Sequence, residues 1–478
     1  MRPMGNEEVR QAVDGRWLAR GGDVQLCGAT TDSRAAKAGE LFIAISGEKY
    51  DGHAFLPQVA AAGCPTAIVR QDAAVPVGIA AKFAGGVIGV PDTLFALGKL
   101  AKHHRQLSSA RVVAVTGSNG KTTTKRMIHH ILRGHLRGTC SPKSFNNNIG
   151  VPLTLLGISA QDDYVVCEVG SNAPGEIAEL AAICMPDIAV ITSVGSTHLE
   201  KLGSLQGVAV EKASLLKHLR DGGTAIAWAD SPELNAALAE YNCPLIWFGS
   251  PAAGALAAAF VATPDECNLR LTNHHVNGLS QRFEINGRLW VDLPMPGRHN
   301  AFNALAAIAT AQQFGLSMQQ AAAALADFDA TDGRLQTIEM GGVTVINDAY
   351  NANPSSVLAA ADVLADCAGR RRVMIVGDMR ELGAASVELH RQAGRQIAQR
   401  GVELIIGVGD LGRHIAAGAA EAGVDAREAT SVDEAHQSVP PLLREGDLVL
   451  IKGSRAMAME RLIEPVARRF GHNLTPKA

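Results

Sequence analysis

No uncharged apolar run in this chain approaches the roughly 18 residues that would span a bilayer, and the opening MRPMGNEEVRQAVDG lacks the apolar centre of a signal peptide. Membrane insertion is therefore not expected, and a cytoplasmic location is. A basic surplus is missing too. Against 44 Lys and Arg stand 47 Asp and Glu, a formal net charge of −3, so the charge balance gives no reason to expect a nucleic-acid partner. The eight cysteines (Cys27, Cys64, Cys140, Cys167, Cys184, Cys243, Cys267 and Cys367) include no close pair with metal-site or redox spacing. They read as small, mostly buried thiols in a reducing compartment. Internal repeats and low-complexity linkers are absent as well, and so is a G-x-G-x-x-G fingerprint, which leaves dinucleotide binding unsupported.

What is present is ample material for buried cores. The chain has 478 residues, 47% of them apolar, and that length suggests about three domains. Its first hundred residues mix short strand-like runs (LFIAI, PTAIV, GVIGV) with glycine turns. A helix-like LFALGKLAKHHRQL then leads to a boundary near Leu107. From Arg111 the runs VVAVTG, DYVVCEVG, DIAVITSVG and GTAIAWAD alternate with helical segments, the rhythm of a doubly wound parallel sheet. A second boundary falls near Asp329 to Arg334, after the helices AFNALAAIATAQQF and MQQAAAALADF. A third alternating unit follows, from VTVINDAYN to DLVLIKGS and a closing helix, and reads as Rossmann-like. The expected fold is thus α/β in three domains: a small N-terminal α/β module (1–107), a central P-loop domain with a doubly wound parallel sheet (108–328), and a C-terminal Rossmann-like domain (329–478).

The stretch VVAVTGSNGKTTTK carries the first chemical signal. Val112 to Val115 read as a buried strand and Thr122 onward as a helix, with Gly117 to Lys121 as the turn between them. Such a turn favours anions, because unsatisfied N–H groups and the helix dipole face outward there. Lys121 can reach the outer phosphates of a nucleotide while Thr122 ligates Mg²⁺. The spacing departs from G-x-x-x-x-G-K-[ST], since Val115 stands where the first glycine belongs. A tight turn with an exposed lysine is the bland alternative.

Further strand ends can converge on this loop, where ligands of such sheets collect. Glu168 closes VVCEVG, His198 lies in SVGSTHLEKLGS, and Lys212 sits in the helical GVAVEKASLLKHL. Taken singly, Glu168 reads as a surface carboxylate, His198 as structural and Lys212 as a solvated charge. Their order changes that reading. In sequence, TGSNGKTTTK, NNNIGVP, EVG, THLEKLGS, the lysine of VEKASLL, GRHNAFNALAA, GR, NDAYNANPSS, GDMRELG and KGSR resemble the Mur ligases, ATP-dependent amide-forming enzymes of peptidoglycan precursor synthesis. The resemblance covers nearly the whole chain. Within the family, NDAYNANPSS with GDMRELG is similar to the member that joins D-alanyl-D-alanine to UDP-N-acetylmuramoyl-tripeptide, and TDSRAAKAGELFIAISGEKYDGHAF resembles the module that holds the UDP-linked substrate.

Matched residues take the family's roles. The resemblance implies that Gly117, Ser118, Asn119, Gly120, Lys121, Thr122 and Thr123 cradle the ATP phosphates, with Thr122 and Glu168 on one Mg²⁺ and His198 serving a second. Lys212 matches a lysine carbamylated by CO₂, which makes it a carboxylate able to support that second metal; here KASLL replaces the frequent K-G-E-I. Asn300 and Asn303, with His299 beside them, match the nucleotide side of the site. Arg334 and Asp348 match an arginine and aspartate that a closing C-terminal domain brings over ATP, and Asn347 departs from the common D-D-x-Y-N-A-N-P. Asn147, Tyr350 and Asn351 are expected among the substrate contacts. Ser33 and Arg34 are expected to touch the UDP-linked substrate, with a simple turn role for TDSR equally open.

The implied chemistry explains the loop. A carboxylate needs a better leaving group before an amine will displace it, and phosphorylation by ATP makes an acyl phosphate. Two anions must meet in that step, which calls for Lys121, Mg²⁺ and backbone N–H groups. The implied partners are UDP-N-acetylmuramoyl-tripeptide and D-alanyl-D-alanine, and a monomer is expected. Three alternatives stay open: a sister ligase that adds the third residue, a folylpolyglutamate synthase, and a nucleotide-driven switch ATPase.

Overall fold

Strands that read as unbroken Val, Ile and Ala runs must be covered on both faces, and the middle of this chain is built that way. A computed structural model describes residues 1–47, 50–250, 269–330, 333–367 and 369–472. Cys267 and part of the expected boundary near Asp329 to Arg334 lie outside the described residues. Among those described, a nine-stranded sheet forms the centre. From edge to edge it runs Leu289–Leu293, Ser280–Ile285, Leu269–Asn277, Leu245–Gly249, Thr224–Trp228, Ile188–Ile191, Arg111–Thr116, Tyr164–Glu168 and Gly138–Cys140. Its pairs are parallel from Gly138–Cys140 through Leu269–Asn277, and the last three strands form an antiparallel meander. The four strands anticipated from sequence sit side by side, whereas nothing in the pattern had marked the strands between 245 and 293.

Helices cover both faces of this sheet. The helix Lys121–Leu132 packs with Arg298–Gln312 over one face, around Val113, Val115, Ile128, Ile131 and Leu305. The other face shares a continuous core with the N-terminal residues, from Met4 through Leu97 to Trp247. There a five-stranded sheet, ordered Arg16–Arg20, Gly86–Val90, Thr66–Arg70, Glu40–Ile43 and Gly28–Thr30, is parallel except at its first pair. The helix Thr93–Leu107 links it to the centre, started by Asp92, whose carboxylate accepts from the Leu94 and Phe95 N–H groups.

The C-terminal part has its own sheet and its own cores on both faces. Strand order is Gln336–Met340, Val343–Asp348, Leu448–Lys452, Arg372–Gly377, Leu404–Val408 and Asp425–Ala429, with only the first pair antiparallel. The polar QTIEM and DAREA strands at its two edges were not anticipated. Of the seven described cysteines, all are free; Cys64, Cys167, Cys184 and Cys367 are buried, Cys140 and Cys243 half-buried, and Cys27 exposed. Among the described residues no helix is long and apolar enough to cross a membrane.

Candidate active site

Three adjacent parallel strands of the central sheet, Ile188–Ile191, Arg111–Thr116 and Tyr164–Glu168, end beside one cavity of about 1820 Å³. The turn after Thr116 needs two left-handed glycines. Gly117 has φ 144° and Gly120 φ 82°, and a Cβ on them would stand 2.1 Å from Thr192 Oγ1 and 2.2 Å from Asn303 Oδ1. The loop is pinned to its neighbour strand: Ser118 N–H donates to the Ser193 carbonyl and Asn119 N–H to Ser193 Oγ, both at 2.9 Å. That narrows the expected cradle. The first intrahelical bond is Thr124 N–H to the Gly120 carbonyl (2.8 Å), so the helix-start donors of Lys121, Thr122 and Thr123 precede it and are the ones suited to an anion.

Lys121 folds over its own loop, with Nζ donating to the Gly117 carbonyl at 2.6 Å. Desolvation in the cleft lowers its ammonium pKa from the ordinary value; Glu168 pulls it back up and Arg334 adds to the lowering. Thr122 Oγ1 donates to Glu168 Oε2 (2.8 Å), and Asn146 Nδ2 donates to Glu168 Oε1 (3.0 Å). Far from being a surface carboxylate, Glu168 is 1% exposed. Burial pushes its carboxyl up, but Lys125, then Lys121 and Arg334, outweigh that and hold it below the ordinary value. Lys125 was missed in sequence, although it lies inside the quoted motif. It is fully buried, 3.2 Å from Glu168 Oε2, and donates to the carbonyls of Ser141 (2.9 Å) and Lys143 (2.5 Å).

Lys212 corrects the solvated reading as well. At 1% exposure its Nζ donates to Ser171 Oγ at 2.9 Å, and burial, with Lys121 adding, pushes the amine down to about 7. His198 lines the cavity and is lowered by burial, with Lys212 and Lys121 adding and Glu381 opposing. These electrostatic couplings put Lys121, Glu168, His198 and Lys212 in one neighbourhood. Asn300 and Asn303 also line the cavity but are bound within the protein. Asn300 Nδ2 donates to the Pro296 carbonyl, Asn303 Nδ2 to Asn300 Oδ1, and Thr124 Oγ1 to Asn303 Oδ1. Asn147 faces the cavity too, while its Oδ1 accepts from Gly150 N–H (2.9 Å) at a helix start.

The opposite wall belongs to the C-terminal sheet. Arg334 lies 4.1 Å over the Tyr350 ring, and Asp348 pairs with Lys452 at 2.6 Å. Lys452, also missed in sequence although KGSR was quoted, donates to the Asn351 carbonyl (3.0 Å). Asn347, the departure from the doubled aspartate, is buried with Nδ2 donating to Gln336 Oε1. The two walls touch through polar groups. Asn119 Nδ2 donates to Ser355 Oγ (3.0 Å), and Asn353 Nδ2 donates to Asn119 Oδ1 (2.8 Å). Ser33 and Arg34 do not line this cavity; Arg34 is spread in solvent on Asp32 at 2.7 Å.

Known proteins resemble this chain over most of its length. Three family models match the chain: "Mur ligase family, catalytic domain" over residues 26–105, "Mur ligase middle domain" over 115–311, and "Mur ligase, glutamate ligase domain" over 333–455. The UDP-N-acetylmuramoyl-tripeptide--D-alanyl-D-alanine ligase of Bacillus subtilis is 36% identical, covering 91% of this chain and 92% of that protein. Its namesake from Escherichia coli is also 36% identical, over 93% and 94%. A crystal structure of MurF from Acinetobacter baumannii superposes with a TM-score of 0.85 at 30% identity, covering 98% of this chain and 99% of that one. The chain belongs to the Mur ligase family.

Proposed function

We propose that this chain is the ATP-dependent ligase that joins D-alanyl-D-alanine to UDP-N-acetylmuramoyl-tripeptide, giving the pentapeptide, ADP and phosphate. The observation that carries the reading is the meeting of Lys121, Thr122 and Glu168 from one sheet with Arg334, Asp348 and Tyr350 from another across a single cavity. The named relatives supply the substrates. We assign residues 1–107 to the UDP-linked substrate, 108–328 to ATP, and 329–478 to closure and the incoming dipeptide. The enzyme acts as a monomer in the cytoplasm, where ATP is at hand.

The tripeptide's terminal carboxylate attacks the γ-phosphorus of ATP, the β–γ bridging bond breaks, and ADP leaves an acyl phosphate behind. Lys121 and the helix-start N–H groups offset the charge of two meeting anions. The dipeptide amine then adds to the acyl carbon, and the tetrahedral species expels phosphate. Arg334 and the C-terminal wall close over the site and keep water from the acyl phosphate. Magnesium fits the donor set, since the Thr122 hydroxyl and an ionised Glu168 are hard oxygens 2.8 Å apart. When bound there it would neutralise phosphate charge as a Lewis acid. The amine of Lys212, lowered to about 7, is substantially neutral near pH 7, and the neutral amine is the form that reacts with CO₂, which supports carbamylation.

A substrate panel that varies both the nucleotide-linked peptide and the amine, scored by product mass, tests the reading. The pentapeptide product and phosphate release that needs both substrates are expected. Release of phosphate without either substrate would instead mark a switch ATPase.

A further inference from the structure

GDMRELG and KGSR follow the carboxyl ends of two paired parallel strands of the C-terminal sheet, Arg372–Gly377 and Leu448–Lys452, the edge where ligands of such sheets collect. The turn after Gly377 is held from several sides. Ser454 N–H donates to the Asp378 carbonyl (3.1 Å), Arg380 N–H to Ser454 Oγ (3.1 Å), and Met379 N–H to Nε2 of the buried His390 (2.8 Å). Asp378 Oδ1 accepts in turn from the Leu411 and Gly412 N–H groups (3.0 and 2.9 Å). Arg380 thus projects from a braced turn. The next residue, Glu381, crosses the cleft to stand 2.5 Å from His198 Nδ1, which puts Arg380 beside the reacting centre.

Arg380 lines the cavity, and among the described residues its guanidinium has no hydrogen-bond or ion-pair partner. The other cations of this wall are engaged: Lys452 with Asp348 at 2.6 Å, Arg455 with Glu460 at 2.8 Å, and Arg334 over the Tyr350 ring. An incoming dipeptide is a zwitterion. With its amine presented to the acyl carbon, its carboxylate lies roughly 7 Å away along extended chain. That second anion needs a cation of its own, and a guanidinium fork takes a carboxylate through parallel N–H bonds. Leu382, Ala352 and Ala456 line the same cavity and offer apolar surface to methyl side chains. We propose that Arg380 is a specificity-determining residue, pairing with the free carboxylate of D-alanyl-D-alanine and so setting the register at which the dipeptide amine meets the acyl phosphate. The proposal rests on the ligase reading above and deepens it, since it accounts for choice of a free dipeptide over an amidated one.

The test uses the full chain as wild type, Arg380→Met and Arg455→Met, each given D-alanyl-D-alanine or D-alanyl-D-alaninamide at saturating ATP and nucleotide-linked tripeptide, with ligated product scored by mass. Arg380 and Arg455 are exposed, so the variants should fold, and circular dichroism checks that they do. Wild type should lose about 10- to 100-fold in kcat/KM on the amide, as expected for loss of a charge-assisted pair. Arg380→Met should lose a similar factor on the acid, through KM for the dipeptide, and should treat acid and amide alike to within about threefold. Its KM for ATP should move by no more than about twofold. Arg455→Met should keep the wild-type preference for the acid, because Glu460 already holds that guanidinium. An Arg380→Met variant that prefers the acid as strongly as wild type does would overturn the proposal, as would loss of the preference in Arg455→Met instead. A wild-type chain that makes no product from D-alanyl-D-alanine would sink the ligase reading and the proposal together, whereas unaltered selectivity in a chain that ligates sinks the proposal alone.

Discussion

The two walls of the cleft use the same device. In the central sheet the buried Lys125 stands 3.2 Å from Glu168; in the C-terminal sheet Lys452 stands 2.6 Å from Asp348. Both carboxylates end a parallel strand, and both lysines also donate to backbone carbonyls. The difference lies beyond the pairs. Beside its pair the central wall adds Lys121, which donates to the carbonyls of Gly117 and Ser118 next to the N–H groups of the helix start. The C-terminal wall instead adds Arg334, spread on the Tyr350 ring. One wall is therefore built to take anions, and the other to cover them.

Breaking that asymmetry at its strongest point means Lys121→Ala. Ligation should fall by about 10³-fold or more, as expected for removal of charge aimed at a developing anion, with an unchanged circular dichroism spectrum. Retained turnover would remove the charged wall from the mechanism. Next in size is the paired device. Lys452→Met leaves Asp348 without its cation, and urea denaturation should show a loss of about 3 kcal/mol, the cost of stranding a buried charge. Lys125→Met should cost a similar amount through Glu168, and a large disparity would mean the two pairs are not equivalent.

Lys212 should behave oppositely, because its charge is not paired with a carboxylate. Lys212→Met should abolish ligation under ordinary CO₂, and yet, against uncarbamylated wild type in CO₂-depleted buffer at pH 7, stabilise the fold by roughly 1–4 kcal/mol. The sign follows from a folded pKa of about 7 against an ordinary 10.5. Between those values the unfolded chain holds more protons, so wild-type stability rises with pH and the advantage of the methionine shrinks from pH 7 toward pH 10. The smallest effect belongs to the contact between walls. Asn119→Ala should weaken closure by about 1 kcal/mol, the worth of a net hydrogen bond, seen as a modest rise in KM for ATP.

Much of this site was legible because its residues occupy strand ends. The runs before Gly117, Glu168 and Thr192 are apolar, of strand length and end in turn residues, so both the sheet and its ligand edge could be read. Lys125 and Lys452 were not singled out, since a lysine in a helix or at a strand end defaults to solvent, and only the fold brings carbonyls to its ammonium. The same default hid the burial of Lys212. The edge strands QTIEM and DAREA escaped for the opposite reason, because a solvated edge lacks the apolar run that marks a central strand. The Glu381 to His198 contact joins loops 183 positions apart in sequence; no local pattern could announce it.

The central claim is that the peptide's acid end takes the γ-phosphoryl group of ATP as an acyl phosphate, a mixed anhydride, before the amine arrives. Tripeptide substrate labelled with ¹⁸O in its terminal carboxylate tests this directly by mass spectrometry of the released phosphate. One ¹⁸O per phosphate is predicted, because the carboxylate oxygen that attacks phosphorus leaves with it. Phosphate free of label, formed alongside the ligated product, would contradict the account.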